Sequence, residues 1–161
     1  MSWRSRRRPW GLATLLAALH AASAAAQLPR HEIQVMAAGV ASEPAVGLIG
    51  AGVNWRDAGR TRVGVAALGG TAEGGRVAGR TELVWHFQLD PGRRTGWGVY
   101  GGGGLAASVV EQGHVRPWVQ AVLGAETGPG AAGGMFVEVG FGGGIRLAAG
   151  WRWRKQNAPG R

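Results

Sequence analysis

Between Arg80 and Asp90 the chain alternates strictly enough to dictate its backbone. Thr81, Leu83, Trp85, Phe87 and Leu89 hold the odd positions, and Arg80, Glu82, His86, Gln88 and Asp90 hold the even ones, with Val84 as the exception. Successive side chains face opposite ways in an extended strand, so a period of two predicts a strand with one oily and one charged face. The segment 145–154 repeats the pattern. Ile145, Leu147, Ala149, Trp151 and Trp153 alternate with Arg146, Ala148, Gly150, Arg152 and Arg154.

Weaker versions of the same alternation run through the chain after Arg30, separated by clusters of Gly, Pro, Asp and Glu that favour turns. They predict strands at 31–41, 46–56, 61–72, 77–89, 96–109, 115–126, 134–141 and 145–154. The final turn is placed at Gly142-Gly143-Gly144; the alternative is one long strand from Met135 to Leu147 that turns at Ala148-Ala149-Gly150. Short connections require antiparallel neighbours. An even-numbered meander removes its two exposed edges by closing first strand on last, so the fold class expected is all-β, a single eight-stranded antiparallel up-and-down barrel. Such a small barrel is filled by side chains. Two solvents give opposite answers for its faces: a soluble barrel turns oil inward, a transmembrane barrel outward.

The N-terminus bears on that choice. Arg4, Arg6, Arg7 and Arg8 precede the apolar run Gly11–His20, and Ala24-Ala25-Ala26 supplies small residues before Gln27. This is the layout of a cleaved secretory signal peptide over 1–26, leaving 27–161 as one domain. The apolar run is shorter than the roughly 20 residues of a spanning helix. There is no cysteine, which excludes disulfides and thiolate metal sites. The formal charge of +9 falls to +5 once the four leader arginines are removed.

On the polar parity, Arg80, Glu82, His86, Glu126, Glu138 and Arg146 are the candidate residues of a confined polar lumen, with Gln34, Gln120 and Arg152 at matching positions. Guanidinium and carboxylate match geometrically, and each offsets the other's desolvation. On the apolar parity, Trp55, Trp85, Phe87, Trp97, Trp151 and Trp153 are candidate membrane-interface aromatics, since amphipathic rings collect where hydrocarbon meets headgroups. A narrow lumen has little room for so many indoles. The competing reading is a soluble periplasmic β-barrel with the Trp and Leu face turned inward around a small apolar ligand.

The run Thr81-Glu-Leu-Val-Trp-His-Phe-Gln-Leu-Asp-Pro-Gly, the segment Gly96-Trp-Gly-Val-Tyr-Gly-Gly-Gly-Gly-Leu, the stretch Phe136-Val-Glu-Val-Gly and the closing Ala149-Gly-Trp-Arg-Trp-Arg carry a resemblance. Together with the leader, they make the chain similar to the small outer-membrane β-barrel proteins of Gram-negative bacteria, the group of OmpA-like and OmpX-like barrels. The resemblance implies location in the cell outer membrane, outer-membrane lipid as surroundings and the barrel-insertion machinery as a partner during biogenesis. Members of that group often end on an aromatic residue, whereas this chain continues past Trp153 to Arg161.

Parts for catalysis are few. Beyond the leader the serines are Ser42 and Ser108 and the histidines His31, His86 and His114. Some barrels of this size are lipid-modifying enzymes that use a His-x-Ser arrangement; it is missing here, and Ser108 with His114 is the nearest imitation. The expectation is therefore no enzyme, no catalytic residues, no metal and no cofactor. Dispersed arginines argue against a nucleic-acid partner. The basic run Arg152-Trp153-Arg154-Lys155 is assigned to the periplasmic or headgroup end of the last strand, facing lipid phosphates. The expected role is structural or adhesive rather than that of a wide pore, with the physiological partner unknown.

Overall fold

The computed structural model describes residues 31–57, 60–111 and 113–155, so the predicted leader and the residues after Lys155 lie outside the described part of the chain. Eight strands follow one another as β1 (His31–Ala41), β2 (Val46–Asp57), β3 (Thr61–Ala72), β4 (Arg76–Gln88), β5 (Trp97–Val110), β6 (Arg116–Thr127), β7 (Gly133–Phe141) and β8 (Ile145–Arg154). Each pairs antiparallel with the next, and β8 pairs with β1 from Glu32↔Arg154 to Ala41↔Ile145, closing the barrel. The expected all-β, eight-stranded up-and-down barrel is the observed fold, with strand ends displaced by at most one residue.

Register sets the shape. Stepping across paired residues from His31 leads through Trp55, Val63, Trp85, Gly103, Ala121, Phe141 and Ile145 back to β1 at Ala41, ten residues above the start. Eight strands with a shear of ten tilt by about 40°. At roughly 3.3 Å per residue, the 12 residues of β2 then rise about 30 Å along the axis, the thickness of a bilayer's hydrocarbon.

Glycine makes two of the turns. Gly74 and Gly75 follow one another at φ 81° and 78° between β3 and β4, the paired positive φ of a tight hairpin. Gly143 and Gly144, at φ 80° and 144°, turn β7 into β8. The single long strand through Leu147 is thereby excluded; Ala148, Ala149 and Gly150 lie within β8, opposite Glu138, Val137 and Phe136.

Every strand turns its even-numbered residues inward and its odd-numbered residues outward. Asp57 at the end of β2 set aside, the outward positions of the strands carry no Asp, Glu, Lys or Arg side chain. Outward instead stand residues such as Ile49 (71% exposed), Leu83, Leu105, Val119 and Phe141. The barrel is oily outside and charged within. The inward-facing arrangement of Trp and Leu that a ligand-binding barrel requires is not the one adopted. The end of the lumen away from the termini is apolar, filled by Val40, Leu48, Leu68, Ala72 and Ala78.

Candidate functional site

The lumen holds two tiers of charge. The first, near the end that carries the described termini, is built around Glu32 of β1 and Glu126 of β6, both fully buried. Arg56 donates to Glu32 through Nε at 3.0 Å and to Glu126 through Nη2 at 3.2 Å. Arg62 gives Nη1 to the Oε2 atoms of Glu126 at 3.0 Å and Glu32 at 3.3 Å. Arg154 reaches Glu126 Oε2 at 2.9 Å, and Arg152 donates to the same oxygen. Gln88 adds a donor to Oε1 at 3.3 Å. Arg152 also donates twice to Gln34 Oε1, which accepts from Asn54 Nδ2 at 3.0 Å.

Four guanidiniums therefore face two carboxylates, and ring faces take up part of the surplus. The Arg62 guanidinium carbon lies 4.7 Å from the centre of the Tyr100 ring, and that of Arg152 lies 4.4 Å from the centre of Phe136. A cation over a desolvated aromatic face gains about 2 kcal/mol. This accounts for Arg62, whose Nε and Nη2 have no hydrogen-bond acceptor.

The second tier is balanced. Arg146 clamps Glu82 with Nε at 2.9 Å and Nη2 at 3.0 Å while Nη1 bonds Glu138 at 2.9 Å. Arg80 donates to Glu82 Oε1 at 2.7 Å, Ser108 Oγ at 3.1 Å, Gln120 Oε1 at 3.0 Å and the Gly142 carbonyl at 2.9 Å. Between the tiers the Tyr100 hydroxyl donates to Glu138 at 2.9 Å, and the His86 ring stands edge-on to Tyr100 at 5.2 Å, with Nε2 3.7 Å from Glu138. A buried charge is tolerated when its lone pairs and protons are matched this fully.

The six lumen residues read from the sequence are thus all inward and buried, but they do not form one cluster. Arg80, Glu82, Glu138 and Arg146 make up the second tier, Glu126 belongs to the first, and His86 sits between them. Glu32, Arg56, Arg62, Arg154, Tyr100 and Phe136 were not singled out; the signal available for them was even-numbered parity. The assignment of the basic run to lipid headgroups is corrected. Arg152 and Arg154 point into the lumen and are buried, which leaves Lys155 as the exposed cation of that run.

Trp55, Trp85, Phe87, Trp97, Trp151 and Trp153 face outward, each 40–54% exposed. All six lie in the part of their strands nearest the end that carries His31 and Arg154, as pairs such as His31↔Trp55, Ile33↔Trp153, Thr61↔Phe87 and Trp97↔Thr127 show. They form a girdle at one rim. Two shallow depressions in the outer wall, of about 700 and 400 Å³, are lined largely by apolar residues such as Leu83, Leu105 and Val119, and Leu123, Val137 and Leu147.

Ser108 and His114 do not meet as a catalytic pair would: the serine hydroxyl accepts from Arg80 inside the barrel, and the histidine is exposed in the β5–β6 connection. Among the described residues no three His, Cys, Asp or Glu side chains are grouped to hold a metal ion.

No protein-family model matches the sequence, and no curated protein matches it. Solved structures do resemble it. The N-terminal β-barrel domain of OprF from Pseudomonas aeruginosa is similar with a TM-score of 0.66 at 10% identity, covering 80% of this chain and 99% of that one. Neisserial surface protein A (NspA) gives a TM-score of 0.58 at 11% identity, over 78% and 96% of the two chains. A de novo designed protein, TMB2.3, gives 0.55 at 17% identity, over 80% and 96%. At these identities what is shared is the fold, the closed eight-stranded barrel seen in small outer-membrane proteins.

Proposed function

We propose that this chain is an outer-membrane β-barrel protein with a structural or surface-interaction role, neither a wide pore nor an enzyme. The observation that carries the reading is the outer wall. A wall without an Asp, Glu, Lys or Arg side chain between its strand ends, tall enough to cross hydrocarbon, suits lipid and would aggregate in water. The aromatic girdle supports the same reading, because indoles anchor at the boundary between acyl chains and headgroups. It also supplies an orientation, with the girdle and the chain ends on the periplasmic side and the four connections β1–β2, β3–β4, β5–β6 and β7–β8 outside. Outer-membrane lipid and the insertion machinery are the partners this placement entails.

The packed interior supports the reading that the barrel is not a wide pore. Paired arginines and glutamates fill one part of the lumen and apolar side chains the other, which leaves no bore for solutes the size of sugars. The test is expression of the whole chain in a Gram-negative host, isolation of outer membranes, and electrophoresis with and without boiling. A membrane-fraction band whose migration shifts on heating is the expected result. Recovery as a soluble, heat-insensitive periplasmic protein would overturn the proposal.

A further inference from the structure

Between the two tiers, two polar atoms lack protein partners. Asn54 Oδ1 and His86 Nδ1 have no hydrogen bond, although their residues are only 1% and 4% exposed. An unmatched buried polar atom costs about 1–3 kcal/mol, so two side by side require an explanation. Both residues line a cavity of about 10 Å³, counted as the space open to the centre of a water molecule, together with Gln34, Gly64, Glu138 and Arg146. On that measure roughly 10–15 Å³ is room for a single water.

Gly64 keeps this space open. A Cβ there would stand 2.2 Å from Asn54 Oδ1 and 3.8 Å from His86 Cε1. Asn54 Oδ1 and the His86 Cε1 carbon, which is bonded to Nδ1, are therefore at most 6.0 Å apart (2.2 + 3.8), so the two unmatched atoms border the same small space.

We infer that this cavity is a binding site for one internal water, which bridges Asn54 Oδ1 and His86 Nδ1 and joins the two tiers. The chemistry of the neighbours selects water. Asn54 Nδ2 donates to Gln34, which aims Oδ1 at the cavity as an acceptor. Nε2 of His86 faces the Glu138 carboxylate, so a ring that carries its hydrogen there presents Nδ1 as a second acceptor. Two acceptors require a ligand that donates twice. A metal cation would satisfy them too, but the Arg146 guanidinium lines the same space and repels one. Water donates both hydrogens and keeps its oxygen free to face Arg146. The hydrogen-bonded path then runs from Arg152 through Gln34, Asn54 and the water to His86 beside Glu138.

The test is nuclear magnetic resonance of the full chain refolded in detergent, with histidine ring nitrogens labelled. Expected are a His86 Nδ1 shift typical of an unprotonated acceptor and a cross-peak between bound water and the Gly64 α-protons or the His86 ring proton. Gly64→Ala, checked for folding by the heat-shifted gel band, should bring the water cross-peak down to background. If that variant does not fold, Asn54→Leu removes one acceptor, fills the space and should have the same effect. Absence of the cross-peak in the unmodified barrel, protonated Nδ1, or a cross-peak that survives the folded variant would overturn the inference. So would crystallographic density at the site with five or more oxygen ligands at metal distance.

Discussion

Replacing Glu126 by Gln removes a carboxylate shared by Arg56, Arg62, Arg152 and Arg154. In the native tier four guanidiniums face Glu126 and Glu32; in the variant they face Glu32 alone, and the surplus of positive charge grows from two to three in a space sealed from solvent. Breaking one partner out of a buried ion pair costs about 3–5 kcal/mol. The carboxamide retains one acceptor oxygen, so its expected loss falls at the lower end of that range. The assay is equilibrium urea unfolding in lipid vesicles, with the folded fraction read from the heat-shifted gel band. Glu73→Gln, in the exposed β3–β4 turn, is the control, with an expected change under about 0.5 kcal/mol. Combining Glu126→Gln with Arg62→Met lowers the surplus back to two and should recover part of the loss. A Glu126→Gln variant as stable as the control would refute the reasoning, since it would mean that water screens these charges inside the barrel.

Three further outcomes follow from the geometry. Leu83→Arg, half-way along the outer wall, should lower stability in bilayers by about 2–4 kcal/mol while leaving the lumen untouched; an unchanged folded fraction in vesicles would count against a lipid-facing wall. Gly143→Ala puts a methyl at φ 80° and 2.7 Å from the Trp118 ring, a strain of about 1–3 kcal/mol. Gly47→Ala meets nothing within 4 Å and should be neutral or stabilising by up to about 1 kcal/mol, so urea midpoints that fail to separate the two glycines would contradict this account. Tyr100→Phe loses the hydrogen bond to Glu138, about 1.5–3 kcal/mol, but keeps the ring beneath Arg62; Tyr100→Leu loses both and should unfold at lower urea than Tyr100→Phe.

The strands were legible because their alternation is punctuated by residues that make turns. Thr61–Ala72 ends where Glu73-Gly74-Gly75 begins, and parity places Glu82 and Arg146 on the charged face. Shear was not legible, since it depends on which residue pairs with which around the whole circle. Without it, Glu126 could not be told from Glu138 as a member of a different tier. Arg62 lies at the start of the predicted strand 61–72, where its even position is the one sign that it turns inward. Arg152 and Arg154 interleave with Trp151 and Trp153, so proximity in sequence suggested one basic aromatic surface where the strand separates two. Tyr100 and Phe136 look like the other aromatics by type; only the even position of each sends it inward.

The last strand brings three of the six lumen arginines, Arg146, Arg152 and Arg154. Counting Arg and Glu alone, the other seven strands set Arg56, Arg62 and Arg80 against Glu32, Glu82, Glu126 and Glu138, so an unclosed seven-stranded sheet presents a net negative inner face. β8 enters the gap beside β1 as a ribbon with cations on one side and aliphatic and indole groups on the other. Its charge is attractive only toward the inside of the sheet and its oil only toward lipid. Closure of the seam thus also carries the interior from one excess carboxylate to two excess guanidiniums, and a β8 inserted back to front would be repelled by both solvents at once.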